Sequence, residues 1–255
     1  MSPRVLIFLL FVLVSFAQEP AQPAQPQPRP VGIKITRPGV VAIAGTPPVG
    51  GTLISYGYSL DEPVAGAHLQ GVSTLFEYTL APRWAVYLIT TEPLIRNGKI
   101  AIGDNCPGVK FRIATEARWR PLLAVSYGLK VPSASDGFGT GRYDHKLTWH
   151  ADKGIGRTRW TGTFATLWSQ QKDGSYVRQY TPAIGALTRW HGRWGSAVQA
   201  YWTTAGKGYG GIVAAPFFQV KNSFNVFGGC VRNVGRYTTA YSVVAGFNYM
   251  HRPRS

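Results

Sequence analysis

The chain's 255 residues leave room for one large all-β domain or two small ones. Its two cysteines, Cys106 and Cys230, are too few for a disulfide scaffold and offer no zinc spacing. Lys and Arg number 27 against 11 Asp and Glu, a net charge of +16, yet they are scattered, without the basic helix or dense patch of a nucleic-acid binder.

The N-terminus sets the expected compartment. Arg4 supplies a short positive region, and Val5 to Phe16 is apolar apart from Ser15. Ser15-Phe16-Ala17 then places small residues at a cleavage position, so residues 1–17 read as a signal peptide cut after Ala17. The run falls short of the about 20 residues a spanning helix needs, and no later segment is apolar enough to be one. An exported chain of this kind is either soluble outside the cytoplasm or a membrane β-barrel.

Gln18 to Pro30 reads QEPAQPAQPQPRP, in which repeated proline blocks helix and sheet. Val31 to Gly50 is transitional, with prolines at 38, 47 and 48 opposing a long element. Residues 18–50 are therefore expected to form a proline-rich tail or linker, and 51–255 the folded domain.

From Gly51 onward about twelve strand-like runs follow, each of the length a tilted membrane strand needs. In Thr52–Leu60, Ile54, Tyr56, Tyr58 and Leu60 alternate with Leu53, Ser55, Gly57 and Ser59. In Val72–Leu80, Phe76 and Tyr78 oppose Ser73, Glu77 and Thr79. Trp84 to Thr91 comes next, and a loop is expected over 92–106. Val109 to Glu116 sets Val109, Phe111 and Ile113 against Lys110, Arg112 and Ala114.

Leu123, Val125, Tyr127, Leu129 and Val131 then form one oily face, with Ala124, Ser126, Gly128 and Lys130 behind it. After a Ser, Asp and Gly loop, Tyr143, His145, Leu147 and Trp149 oppose Asp144, Lys146, Thr148 and His150. Further strands are expected at 157–169, 176–190, 194–204, 212–220, 224–231 and 237–249. Side chains alternate across a strand, so the recurring oily face implies lipid on one side of a sheet and water on the other.

Short turns alternate with longer connections, as in outer-membrane barrels with short periplasmic turns and longer outer loops. Trp84, Trp119, Trp190 and Trp194 cluster at the short turns. Trp168, Tyr176, Trp202, Tyr209 and Tyr237 cluster near the long ones. Two belts of amphipathic rings are what two bilayer interfaces favour. The fold expected is thus an all-β, antiparallel transmembrane barrel of the outer-membrane type with about 12 strands.

Several stretches carry a family likeness: Gly103-Asp104, Gly108-Val109-Lys110-Phe111-Arg112, Pro121 through Pro132, and Gly139-Thr140-Gly141 with Asp144. Over roughly residues 71 to 250 the chain resembles the transporter-like outer-membrane β-barrels labelled "meta-pathway of phenol degradation". The resemblance implies movement of small, partly hydrophobic compounds across the outer membrane and brings no catalytic residues. One departure is the chain end, where Phe247 and Tyr249 are followed by MHRPRS instead of closing on the aromatic residue that assembly machinery reads.

By strand parity the lumen is expected to carry Glu77, Lys110, Arg112, Lys130, Asp144, Lys146, His150, Arg157, Arg159 and Arg189. Basic rings favour anions, so a basic stripe of Arg112, Lys130 and Lys146 predicts anion selectivity. The same groups also suit a plugged interior, because twelve strands lie between a filled barrel and an open pore. His145 stands on the oily face with no serine at its level, so a lipid-hydrolase pair is not formed there. The glycine loops around 137–141 and 206–210 lack the lysine-serine ending of a phosphate loop.

The function expected is an outer-membrane channel or transporter for small solutes, hydrophobic, aromatic or anionic, without enzymatic activity, metal or cofactor. Outer-membrane lipid and lipopolysaccharide, the barrel-assembly machinery and a small-molecule solute are the partners this implies, with no nucleic acid. Two alternatives stay open: a non-conducting structural or adhesive barrel, and a soluble exported β-sandwich that binds ligand.

Overall fold

The computed structural model describes residues 44–62, 69–96, 99–135, 141–204, 208–234 and 241–253. The expected signal peptide, residues 18–43 of the tail, and the loop positions His68, Gly137 to Thr140, Gly206 and Tyr237 lie outside these residues.

Thirteen strands follow one another: β1 (Thr52–Glu62), β2 (Leu69–Ala81), β3 (Trp84–Arg96), β4 (Lys99–Ala101), β5 (Cys106–Ala114), β6 (Leu122–Lys130), β7 (Asp144–Ile155), β8 (Thr158–Gln170), β9 (Tyr176–Arg189), β10 (Trp194–Thr203), β11 (Tyr209–Lys221), β12 (Phe224–Val234) and β13 (Tyr241–His251). Each long strand pairs antiparallel with its sequence neighbours, and β1 pairs with both β2 and β13. The sheet therefore closes on itself into a twelve-strand barrel, so that its first and last strands pair instead of presenting open edges. β4 is a short extra piece hydrogen-bonded to the outer end of β3.

The stretch expected to be a loop over 92–106 is where the fold departs most from the sequence pattern. β3 runs on to Arg96, past Pro93, and returns through β4. Its pairing with β2 shifts register between Gly71 and Ser73, opposite this part of β3, and such a bulge accommodates a residue that cannot donate to the ladder. β5 starts three residues earlier than expected, at Cys106, and ends at Ala114, while β11 begins at Tyr209 inside an expected glycine loop.

Parity follows the alternation. Phe76, Tyr78, Trp84, Val109, Tyr127, Trp149, Trp160, Phe164, Ile184, Val198, Ile212 and Val243 are all exposed on the outer surface. Ser55, Glu77, Thr79, Lys110, Ser126, Lys130, Asp144, Thr148, His150, Asp152 and Thr161 are buried inside. That is a soluble protein turned inside out, and only a non-aqueous surround makes such a distribution favourable. Two tight turns at one end are closed by glycine in the left-handed region, Gly156 at φ 58° and Gly192 at φ 58°. The tryptophans of that end are strongly exposed, Trp119 most of all at 85%.

Candidate functional site: the barrel interior

The lumen has two unlike walls. Around β10 to β13 it is mostly apolar: Ala197, Val213, Ala215, Phe227, Val231 and Val244 are buried, with Thr203, Asn233 and Ser242 as buried polar residues among them. Val213, Val231 and Val244 form one cluster, with Tyr201 packed on it. The Tyr201 hydroxyl donates to Asn233 Oδ1 at 2.7 Å, so its polar end is satisfied within that wall.

The opposite wall, from β2 to β8, is charged and largely self-compensated. Lys110 Nζ lies 2.7 Å from Glu77 Oε2. Lys130 Nζ lies 2.6 Å from Asp144 Oδ2 and 3.4 Å from Asp104 Oδ2. Register makes the second pair, because Lys130 on β6 stands directly opposite Asp144 on β7. His150 Nε2 and Ser126 Oγ are 2.8 Å apart. Lys146 faces inward on β7 beside Gly128 and has no carboxylate partner among the described residues.

Residues 44–51 add a third component. This lead-in to β1 enters the short-turn end and crosses to the charged wall. Ala44 N–H donates to Asp152 Oδ2 at 2.9 Å, and Thr79 Oγ1 donates to the Pro47 carbonyl at 2.9 Å. The Arg112 guanidinium donates to Thr46 Oγ1, and Lys110 Nζ reaches the Gly45 carbonyl at 3.5 Å. The end of the expected tail is thus held by four strand side chains. Its Gly-Thr-Pro-Pro composition carries no periodic signal, which is why it reads as linker.

Three of the basic residues expected in the lumen occupy the short-turn rim. Arg157 sits in the β7–β8 turn and donates to the Trp190 carbonyl at 3.0 Å. Arg159 is exposed and pairs with Glu116 at 3.3 Å. Arg189 is exposed at the end of β9. Glu116 also accepts from Gly154 N–H at 2.8 Å. That bond first, then the neighbouring Arg159 and Lys153, holds its carboxyl below the ordinary glutamate range.

Asp152 and Asp104 are lumen-side carboxylates that sequence reasoning passed over. Asp152 is legible by parity, two residues beyond His150. Asp104 precedes β5 and comes to Lys130 only through loop contacts, with Ala134 N–H on its other oxygen at 3.2 Å. Counting both, the described mid-barrel set is Glu77, Asp104, Asp144 and Asp152 against Lys110, Arg112, Lys130 and Lys146. On this wall four carboxylates stand with four basic groups, while three further arginines expected in the lumen stand at the short-turn rim.

Glycine shapes the interior as well. The Tyr87 ring on β3 lies across Gly108 and Gly128. A Cβ on Gly128 would stand 2.6 Å from Tyr87 Oη and 3.0 Å from Cys106 Sγ. Cys106 is buried inside and Cys230 exposed outside, both as free thiols.

No family model matches the sequence, and no curated protein matches it. Solved structures do share the fold. An outer membrane channel from Pseudomonas putida F1 superposes with a TM-score of 0.64 at 11% identity, over 80% of this chain and 97% of that one. The NanC porin superposes at 0.55 with 8% identity, over 80% of this chain and all of the other. The fold is that of an outer-membrane β-barrel.

Proposed function

We propose that the protein is a narrow, non-enzymatic outer-membrane channel for small amphipathic solutes. The observation that carries this reading is the divided lumen. The interior side chains of β10 to β13 are mostly apolar, with a valine cluster, whereas those of β2 to β8 are charged and paired, a division that suits a solute with an aromatic or aliphatic body and a polar head. The resemblance of residues 71 to 250 to the meta-pathway barrels implies the same solute class, and two solved structures that share the fold are by name a channel and a porin.

Because the described mid-barrel charges balance, the channel selects weakly by charge and more strongly by amphipathic character. Proteoliposome swelling tests this. p-Toluenesulfonate and benzyltrimethylammonium are aromatic ions of opposite sign that stay charged and do not cross bare bilayers. Both are expected to enter faster than a sugar of similar size. Sugar entering as fast as the aromatic ions would refute the amphipathic lumen. Vesicles tight to all three would favour a closed structural barrel, the reading that the lead-in and the paired charges support.

A further inference from the structure

The outer face near the long-loop end carries a polar constellation that a lipid-facing surface does not need. His145 on β7 points outward between two tyrosines. Tyr127 Oη lies 2.6 Å from its Nδ1, and Tyr176 Oη lies 3.4 Å from its Nε2. Both rings also pack against the imidazole, with centroids 6.1 Å and 5.6 Å away. Register continues the row, with Trp168 opposite His145 and Arg178 opposite Trp168.

Arg178 is exposed and makes no ion pair or hydrogen bond among the described residues. Lys172, exposed in the β8–β9 turn just above, is likewise unpaired among them. The acid of that turn, Asp173, is occupied by Ser175, whose N–H and hydroxyl both donate to its Oδ1, at 2.9 Å and 2.6 Å.

We propose that this row is a binding site for the phosphorylated headgroup of an outer-leaflet glycolipid. A neutral imidazole donates from one ring nitrogen and accepts at the other. The tyrosine that accepts from His145 therefore keeps its own O–H for a ligand. A guanidinium presents a fork of donors that matches a phosphate, and Lys172 adds a second cation. Tyr127, Trp168 and Tyr176 give flat apolar surface beside those donors. The site stands two to three residues below the long-loop rim, the level of headgroups in the outer leaflet. Acyl chains then run down the apolar face below it, over Leu147 and Phe164. A protein partner would leave those chains' surface uncovered, which favours a lipid.

The inference rests on the outer-membrane reading under Proposed function, with the long loops on the outer side, and one experiment separates the two. Full-chain protein, refolded in detergent and checked as a folded barrel by its unheated gel mobility, is incubated with bisphosphorylated lipid A. Retained lipid is counted by native mass spectrometry. The wild type is expected to hold lipid A, and Arg178→Gln to lower retention roughly tenfold, the effect of one lost charge-assisted bond. Dephosphorylated lipid A should bind the wild type no better than it binds Arg178→Gln. Arg83→Gln, at the opposite end of the barrel, should change nothing, and excess inorganic phosphate should not displace the lipid. Should Arg178→Gln not fold, His145→Leu is the second variant, with the same loss expected. Equal retention by wild type and folded variant overturns the site, as does equal retention of the dephosphorylated lipid. Displacement by inorganic phosphate overturns its assignment to lipid. Failure of the wild type to insert into vesicles would instead sink the membrane reading.

Discussion

Glu77 is only 2% exposed and its partner Lys110 6%, so their contact at 2.7 Å is a buried ion pair on the charged wall. Removing one member of such a pair strands the other charge, which costs far more than the pair itself contributes. Glu77→Gln is therefore expected to destabilise the barrel by about 3 kcal/mol, read as a shift in the denaturant midpoint in detergent. Glu77→Gln with Lys110→Met should recover most of that loss. A double variant as unstable as the single one would show that Lys110 is held by something other than Glu77. The pair also marks a limit of parity reasoning. Alternation places both residues inside, but only the path from β2 past β3 to β5 brings them together. A run of residues on one strand does not specify what stands two strands away.

At the scale of the strand, alternation was the legible signal, because each residue must choose lipid or lumen and the two choices differ in polarity. Phe164 and Thr163 are neighbours on β8, one exposed on the outer surface and the other turned inward opposite His150. Arginine near the bilayer midplane of a barrel costs roughly 2–4 kcal/mol. Phe164→Arg should therefore reduce assembly into vesicles sharply, measured as the fraction showing folded gel mobility, while Thr163→Arg loses much less. Equal losses at the two positions would contradict the assignment of faces.

The inner face is more demanding than sequence alone implies. Ser126 reads as a plain water-facing position, yet it is buried and bonded to His150. Gly128 reads as a small spacer, yet it makes the room in which the Tyr87 ring lies. Side chains reaching across two strands leave no mark in the pattern of any one strand. The β3–β4 extension was missed for a different reason. Pro93 signals an interruption, and the register shift opposite this part of β3 absorbs it instead.

For the whole molecule, closure of twelve strands leaves an interior that is neither filled by side chains alone nor wide. The chain narrows it further with its own lead-in, fixed to Asp152, Arg112 and Thr79. A wall of paired charges, a mostly apolar wall and a lead-in held by hydrogen bonds together line the barrel interior. On the proposed function this interior conducts, and residues 44–51 govern its width. The direct measurement is single-channel conductance of the full chain in planar bilayers, for wild type and for Arg112→Ala combined with Asp152→Ala, which removes two tethers of the lead-in. Small steps with weak charge selectivity are expected from the wild type and clearly larger steps from the double variant. Bilayers that receive folded protein yet stay silent with both would contradict it.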